Sequence, residues 1–239
     1  MFSAETYKYR RRVLQQELKT GVVLLPGNVE SPMNYPANTY PFRQDSSFLY
    51  YFGVDNPGFF GLIDIDENKS YLVGDDFTVD DIIWMGPQPK VADYQALCGA
   101  DVSAAQQEME TLVHSMIAKG RKIHFSTPYR AENKLFLSRL LGIHADKLGL
   151  YASIELVKAI VAQREIKSTE EVSEIEQALE TSWLMAQELF RNTKPGTSEQ
   201  EIVSFLTAVL ESRQSRYSFP VILSIHGETL HNHHHGNIL

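Results

Sequence analysis

Phe42-Arg43-Gln44-Asp45-Ser46-Ser47-Phe48-Leu49-Tyr50-Tyr51-Phe52-Gly53-Val54 crowds Phe48, Tyr50, Tyr51 and Phe52 into one short stretch. That is too much aromatic surface for a solvated loop. No nucleophile–base pair stands among these residues, so the stretch reads as core and interface rather than a chemical site or stacking platform. On its N-terminal side, Val22-Val23-Leu24-Leu25 precedes Pro26-Gly27-Asn28, a short apolar run bounded by turn residues that predicts a buried strand. Asn28 to Pro41 carries Pro32, Pro36 and Pro41 and reads as a loop. Ser3 to Thr20 is charged and free of Pro and Gly, a surface helix ended by Gly21.

On the C-terminal side, Phe59 to Ile65 and Ser70 to Gly74 predict two strands, joined by the hairpin-turn chemistry of Asp66-Glu67-Asn68-Lys69. Ala105, Met109, Leu112, Val113 and Met116 recur at helical spacing, Lys122 to Phe125 predicts another strand, and Ala131 to Leu141 another helix. Alternating strands and helices point to an α/β or α+β layered domain. Ile154, Val157, Ile160 and Val161 are expected to form one helix face. Ser168 and Glu171 then make a capping box that opens a new helix. Its apolar face is read as Val172, Ile175, Leu179, Trp183, Ala186 and Phe190, and Lys194-Pro195-Gly196 ends it. A second capping box, Ser198 with Glu201, opens a helix with Ile202, Phe205, Leu206, Val209 and Leu210 as its stripe, and Phe219 to Ile225 is expected as a strand. The domain boundary falls near residues 160–168, dividing the chain into 1–165 and 166–239.

The chain has 239 residues, 43% of them hydrophobic and 22% charged, enough for a core of ordinary size. Its net charge of -8 argues against a general nucleic-acid surface or an anionic-membrane surface. The single cysteine, Cys98, excludes an internal disulfide and reads as a buried structural thiol. Met1 to Arg12 is polar and basic with no apolar segment, so no secretory signal is read there, and runs such as Phe219 to Leu223 are far too short to span a bilayer. A cytoplasmic protein is expected.

Five histidines, His226, His231, His233, His234 and His235, gather near the C-terminus. An expression tag is one reading, but Asn232 interrupts the run. A metal site is another: on an extended strand His231, His233 and His235 would share a face. A polar loop with one catalytic histidine is the third. Asp75-Asp76 and Asp80-Asp81 are paired carboxylates that read as a solvated turn. No G-x-S-x-G, H-E-x-x-H or G-x-x-x-x-G-K-[ST] motif is present.

The 42–54 stretch resembles the signature of the aminopeptidase P N-terminal domain. Gln163-Arg164-Glu165-Ile166-Lys167-Ser168 with Glu170-Glu171 resembles the entry into the pita-bread catalytic domain of the same enzymes. Lys194-Pro195-Gly196-Thr197-Ser198-Glu199 resembles that domain's first helix–loop–helix, and Phe219 to Ile225 with Leu230-His231 its next strand and loop. The fold class so implied is α/β, a mixed-sheet creatinase-type N-terminal domain, followed by the truncated start of an α+β pita-bread domain.

The resemblance implies a metallo-aminopeptidase that removes the residue preceding proline (Xaa-Pro aminopeptidase). Its substrate is a peptide with proline at the second position, and it is a homodimer with no nucleic-acid or membrane partner. Prolidase and a non-catalytic pita-bread binding module remain alternatives. Catalytic members activate a bridging water with two divalent metals, commonly manganese, held by two Asp, one His and two Glu. Those ligands all follow the segment matching His231. The last aspartate here is Asp146, so this chain is expected to hold no metal ligand and to be inactive alone. By resemblance His231 is the active-site histidine that hydrogen-bonds substrate or the tetrahedral intermediate. The family has an aromatic residue next where this chain has Asn232, which makes His233 the second choice.

Overall fold

The computed structural model describes residues 1–238 and divides into two compact units, Met1–Ile166 and Lys167–Leu239. In the first, α1 (Ala4–Leu18) is capped by Ser3 and leads into β1 (Val22–Pro26). The Asn28–Pro41 segment, expected as loop, folds a small hairpin, β2 (Pro32–Tyr35) with β3 (Asn38–Thr39). The aromatic stretch contains a short helix, α2 (Ser46–Phe52). The strands β4 (Phe60–Asp64) and β5 (Lys69–Val73) form the expected hairpin. Next come α3 (Val79–Met85), α4 (Val91–Cys98), β6 (Val102–Ala104), α5 (Gln106–Ala118) and β7 (Ile123–His124). The unit closes with α6 (Ala131–Leu141), α7 (Leu148–Tyr151) and α8 (Ile154–Glu165).

The main sheet is mixed, in the order β6-β5-β4-β1-β7. β1/β4 and β4/β5 are antiparallel, and β1/β7 and β5/β6 are parallel. The apolar run of β1 explains the layering. Its side chains alternate faces, so Val23 and Leu25 join a core with Phe48, Tyr51 and Phe52, while Val22 and Leu24 join one with Met109, Val113 and Leu137. A strand buried on both faces has no use for polar alternation. Each of these four side chains contributes on the order of 1.5–3 kcal/mol by leaving water.

Two arginines tie α1 to its neighbours. Arg10 Nη1 donates to Tyr50 O at 2.9 Å, and its guanidinium lies 4.0 Å from the Tyr50 ring centroid. Arg11 donates to Tyr51 O at 2.8 Å and Cys98 O at 3.1 Å, the carbonyls at the C-terminal ends of α2 and α4. A buried cation at two helix C-termini satisfies carbonyls that have no intrahelical donor and meets the negative end of each dipole. Burial lowers the Arg11 pKa.

The face of α8 differs from the sequence reading. Leu156, Ala159 and Ile160 are buried, whereas Ile154, Val157 and Val161 are exposed. Leu156, Ala159 and Ile160 also obey helical spacing, and the core of Tyr7, Leu14 and Tyr51 takes that face. Periodicity alone could not choose between two adjacent apolar stripes.

His124 fastens β7 to the starts of β1 and α8. Its Nε2 meets Thr20 O at 3.1 Å, which fixes the proton there, and its Nδ1 meets Ser153 Oγ at 2.7 Å. The ring is 2% exposed, and burial lowers its pKa from the ordinary 6.5. The neutral form is the one the fold favours. Its contribution is therefore present above the unfolded pKa of about 6.5 and lost as pH falls through the lower folded value. Urea unfolding at about pH 7 and about pH 5 is expected to show a stability loss that His124→Asn reduces. Equal pH dependence in both proteins would contradict this.

In the second unit, α9 (Thr169–Asn192) and α10 (Glu199–Ser212) each open with the expected capping box and pack on one another. Ile202, Leu206 and Leu210 are buried, while Val172, Ile175, Leu179, Trp183 and Phe190 of α9 are exposed. Residues 219–225, expected as a strand, are irregular. No strand among the described residues lies beside them to receive a ladder of hydrogen bonds.

Candidate functional site

The loop from Ile225 to Asn237 carries all five C-terminal histidines. His231 is exposed. His233 Nδ1 meets Val221 O at 3.0 Å, and His226 Nδ1 meets Glu228 Oε1 at 3.1 Å. Asn232, which stands where the resembling family has an aromatic residue, accepts at its Oδ1 from the His234 N–H at 2.9 Å. Residues 231–235 form no strand, so the strand face expected for His231, His233 and His235 does not arise. Among the described residues no three His, Cys, Asp or Glu side chains come together in a group that could hold a metal.

The loop closes on α10. Glu199 is 1% exposed, and its Oε1 accepts from Ile225 N at 2.8 Å and from Asn237 Nδ2 at 3.0 Å. Burial pushes its pKa up. Hydrogen bonds from the Asn237 side chain and from the N–H groups of Ile225 and Asn237 outweigh that and hold it below the ordinary value. Glu199 is the residue that sequence reading passed over. It entered only as the last residue of the Lys194–Glu199 match, and its partners lie too far along the chain to leave a local pattern. A buried glutamate is nonetheless rare unless paired.

The paired aspartates have other work. Asp75 accepts from Gln106 N at 2.9 Å and Asp76 from Val91 N at 2.8 Å, so they cap the first residues of α5 and α4. Asp81 forms a capping box with Thr78 at the start of α3. Asp75, Asp76 and Asp81 thus serve as helix caps, while Asp75, Asp76 and Asp80 stay exposed to solvent as expected. Cys98 is fully buried, and burial raises its thiol pKa, so little reactive thiolate forms.

Much of the 42–54 stretch is tied into the fold. Gln44 Oε1 accepts from Asn28 N and Asp45 N at 2.7 and 2.8 Å, and its Nε2 donates to Val54 O and Asn56 O at 3.2 and 2.8 Å. Asp45 caps α2 through Ser47 N and Phe48 N, and burial raises its pKa. Gly53 ends α2 at φ 69, and a Cβ there would sit 2.1 Å from the Tyr7 ring. Elsewhere in this unit a cavity of about 380 Å³ opens beside β1, α5 and α6, floored by Phe59, Phe60, Met109 and Phe136 with Arg139 at its wall. No helix among the described residues is long and apolar enough to cross a membrane.

Residues 7–124 match the family model of the aminopeptidase P N-terminal domain. Over 217 residues the chain is 26% identical to a probable Xaa-Pro aminopeptidase of Chaetomium globosum, covering 88% of this chain and 35% of that protein. Over 230 residues it is 24% identical to a probable Xaa-Pro aminopeptidase of Aspergillus flavus, covering 95% of this chain and 45% of the relative. A shorter match, 37% identical over 65 residues, is to the Xaa-Pro dipeptidase of Homo sapiens, of which it spans 13%. A variant of Escherichia coli aminopeptidase P solved in complex with substrate superposes with a TM-score of 0.75 at 19% identity, over 91% of this chain and 51% of that one. That likeness establishes the fold. All five strands of the main sheet lie within the matched residues 7–124, so this part of the chain carries an aminopeptidase P N-terminal domain.

Proposed function

We propose that this chain is the front part of a metallo-aminopeptidase acting on peptides with proline at the second position. The observation that carries the reading is the aminopeptidase P match across residues 7–124, supported by relatives named Xaa-Pro aminopeptidases that align with most of the chain. The second unit is the start of a pita-bread domain, and His231 is its catalytic histidine. An exposed imidazole N–H there would stabilise negative charge developing on the scissile carbonyl oxygen. Proline's tertiary amide has no N–H to offer, so such a substrate needs a dedicated site.

The reaction calls for two divalent metals, with manganese the expected pair, to supply an activated water. The residues present do not fit them. Hard divalent ions favour carboxylate oxygens; the second unit has no aspartate, and its glutamates and histidines come together in no group that could hold a metal among the described residues. The exposed stripe Val172, Ile175, Leu179, Trp183 and Phe190 favours burial by association, and we assign a homodimer.

Prolidase chemistry is the second reading, favoured by the local match to the human Xaa-Pro dipeptidase. The purified chain with added manganese is expected to cleave neither an Xaa-Pro tripeptide nor an Xaa-Pro dipeptide and to bind no stoichiometric metal. Cleavage by monomeric chain, judged by light scattering, would overturn the ligand argument and the association argument together. In a polypeptide that joins this chain to a ligand-bearing catalytic remainder, tripeptide cleavage supports the aminopeptidase, and cleavage confined to dipeptides supports prolidase.

A further inference from the structure

We infer that Glu199 is a positioning residue: its carboxylate clasps the neck of the 225–237 loop and so fixes where His231 and its neighbouring histidines stand. The catalytic consequence rests on the reading of His231 above, while the clasp rests on geometry alone.

The two ends of the loop meet on one side chain. Oε1 takes the Ile225 N–H at one end and the Asn237 amide at the other, as given above. Oε2 accepts from Asn237 N at 3.2 Å and from Asn237 Nδ2 at 3.1 Å. An ionised carboxylate offers about four acceptor directions, and here Ile225 N, Asn237 N and an Asn237 amide shared between both oxygens converge on it, with the Ser224 hydroxyl beside them. The main chain reinforces the closure. Glu199 N donates to Asn237 O at 2.9 Å, and Ser198 bridges to Ile238.

The clasp is anchored on a firm element. Glu199 is the first residue of α10, where the helix dipole favours a negative charge, and Ile202 and Leu206 seat that helix in its core. Beyond the neck the loop is held, among the described residues, by short-range ties: His233 to Val221 O, His226 to Glu228, His226 N to Ser224 Oγ, the Asn232–His234 turn, and Thr229 N to His226 O. A compact surface loop whose ends are pinned keeps its shape through the pin. Neutral hydrogen bonds would hold it less firmly than these charge-assisted ones.

The test uses the whole chain and needs no turnover. Amide hydrogen exchange is read at Ile225 and Asn237, and imidazole NMR signals are read for His231 and His233. Glu199→Ala is expected to speed exchange at both neck amides by about tenfold or more. It should also collapse the imidazole signals toward free histidine, with Leu206 and Leu210 of α10 still protected. Glu199→Gln keeps one acceptor and turns a donor toward donors, so it should fall between. Adding Asn237→Asp to Glu199→Gln reverses donor and acceptor and should restore the imidazole signals in part.

Neck amides that stay protected in Glu199→Ala would overturn the clasp. Released neck amides with unchanged His231 and His233 signals would overturn the positioning role. Should Glu199→Ala unfold α10, Glu199→Gln decides, and a loop unchanged in that variant counts against the inference. Failure of the Xaa-Pro reading would appear only in turnover of His231 variants and would leave these readouts untouched.

Discussion

His231→Ala, in a polypeptide that joins this chain to a ligand-bearing catalytic remainder, is expected to lower kcat on an Xaa-Pro peptide by roughly a hundred- to a thousandfold. That is the usual loss when one donor to a developing oxyanion is removed. Bound metal should stay nearly constant, because the role assigned is hydrogen bonding in the transition state and not ligation. KM should change little, since an interaction made only in the transition state appears in kcat. Metal loss in step with turnover would make His231 a ligand. Unchanged turnover would pass the role to His233, whose Nδ1 already meets Val221 O.

Phe52→Ala is expected to cost about 3–5 kcal/mol of stability. The ring is fully buried and stacks on Phe48 at 5.5 Å between centroids. It also fills the space above Gly61, where a Cβ would come within 2.3 Å of the ring, and the Arg11 guanidinium lies 5.0 Å from its centroid. Truncation would empty a site walled by a strand, a helix and a cation that are all held by other bonds, so little collapse can relieve it. Tyr50→Ala should cost less, because Tyr50 is only partly buried. Urea unfolding checks both. A Phe52→Ala protein that melts like the original but loses turnover would show that this stretch does chemistry, contrary to its assignment here.

The elements legible in the sequence were those with local signals. β1 and the β4–β5 hairpin stand out as apolar runs with turn residues between them. α9 and α10 are announced by Ser168/Glu171 and Ser198/Glu201. The short helix α2 was hidden because its capping residue, Asp45, lies inside a run of aromatics that also suits a strand. The start of α3 uses Thr78 with Asp81, where the usual box has Glu or Gln, so Asp80-Asp81 passed for a turn. Long-range facts left no trace: which stripe of α8 faces inward, that Asp75 and Asp76 cap helices well beyond them, and that residues 219–225 run without a strand partner. His231 was named through family resemblance. Glu199, which closes the loop around it, could be found only once Ile225 and Asn237 were brought together in space.

The amide of Gln44 has a consequence for chemical ageing. Deamidation to Glu would change the side chain by a single atom and keep its shape almost unchanged. Yet the nitrogen that now gives protons to Val54 O and Asn56 O would become an oxygen facing those two carbonyls. The lesion would be invisible to packing and would act through the negative charge it buries and through lone pairs set against lone pairs. It would loosen the backbone just past Gly53, where α2 hands the chain on toward β4. A mass increase of about one dalton at a residue 3% exposed would thus record that the unit had already opened, because water must reach a sealed amide before it can hydrolyse it.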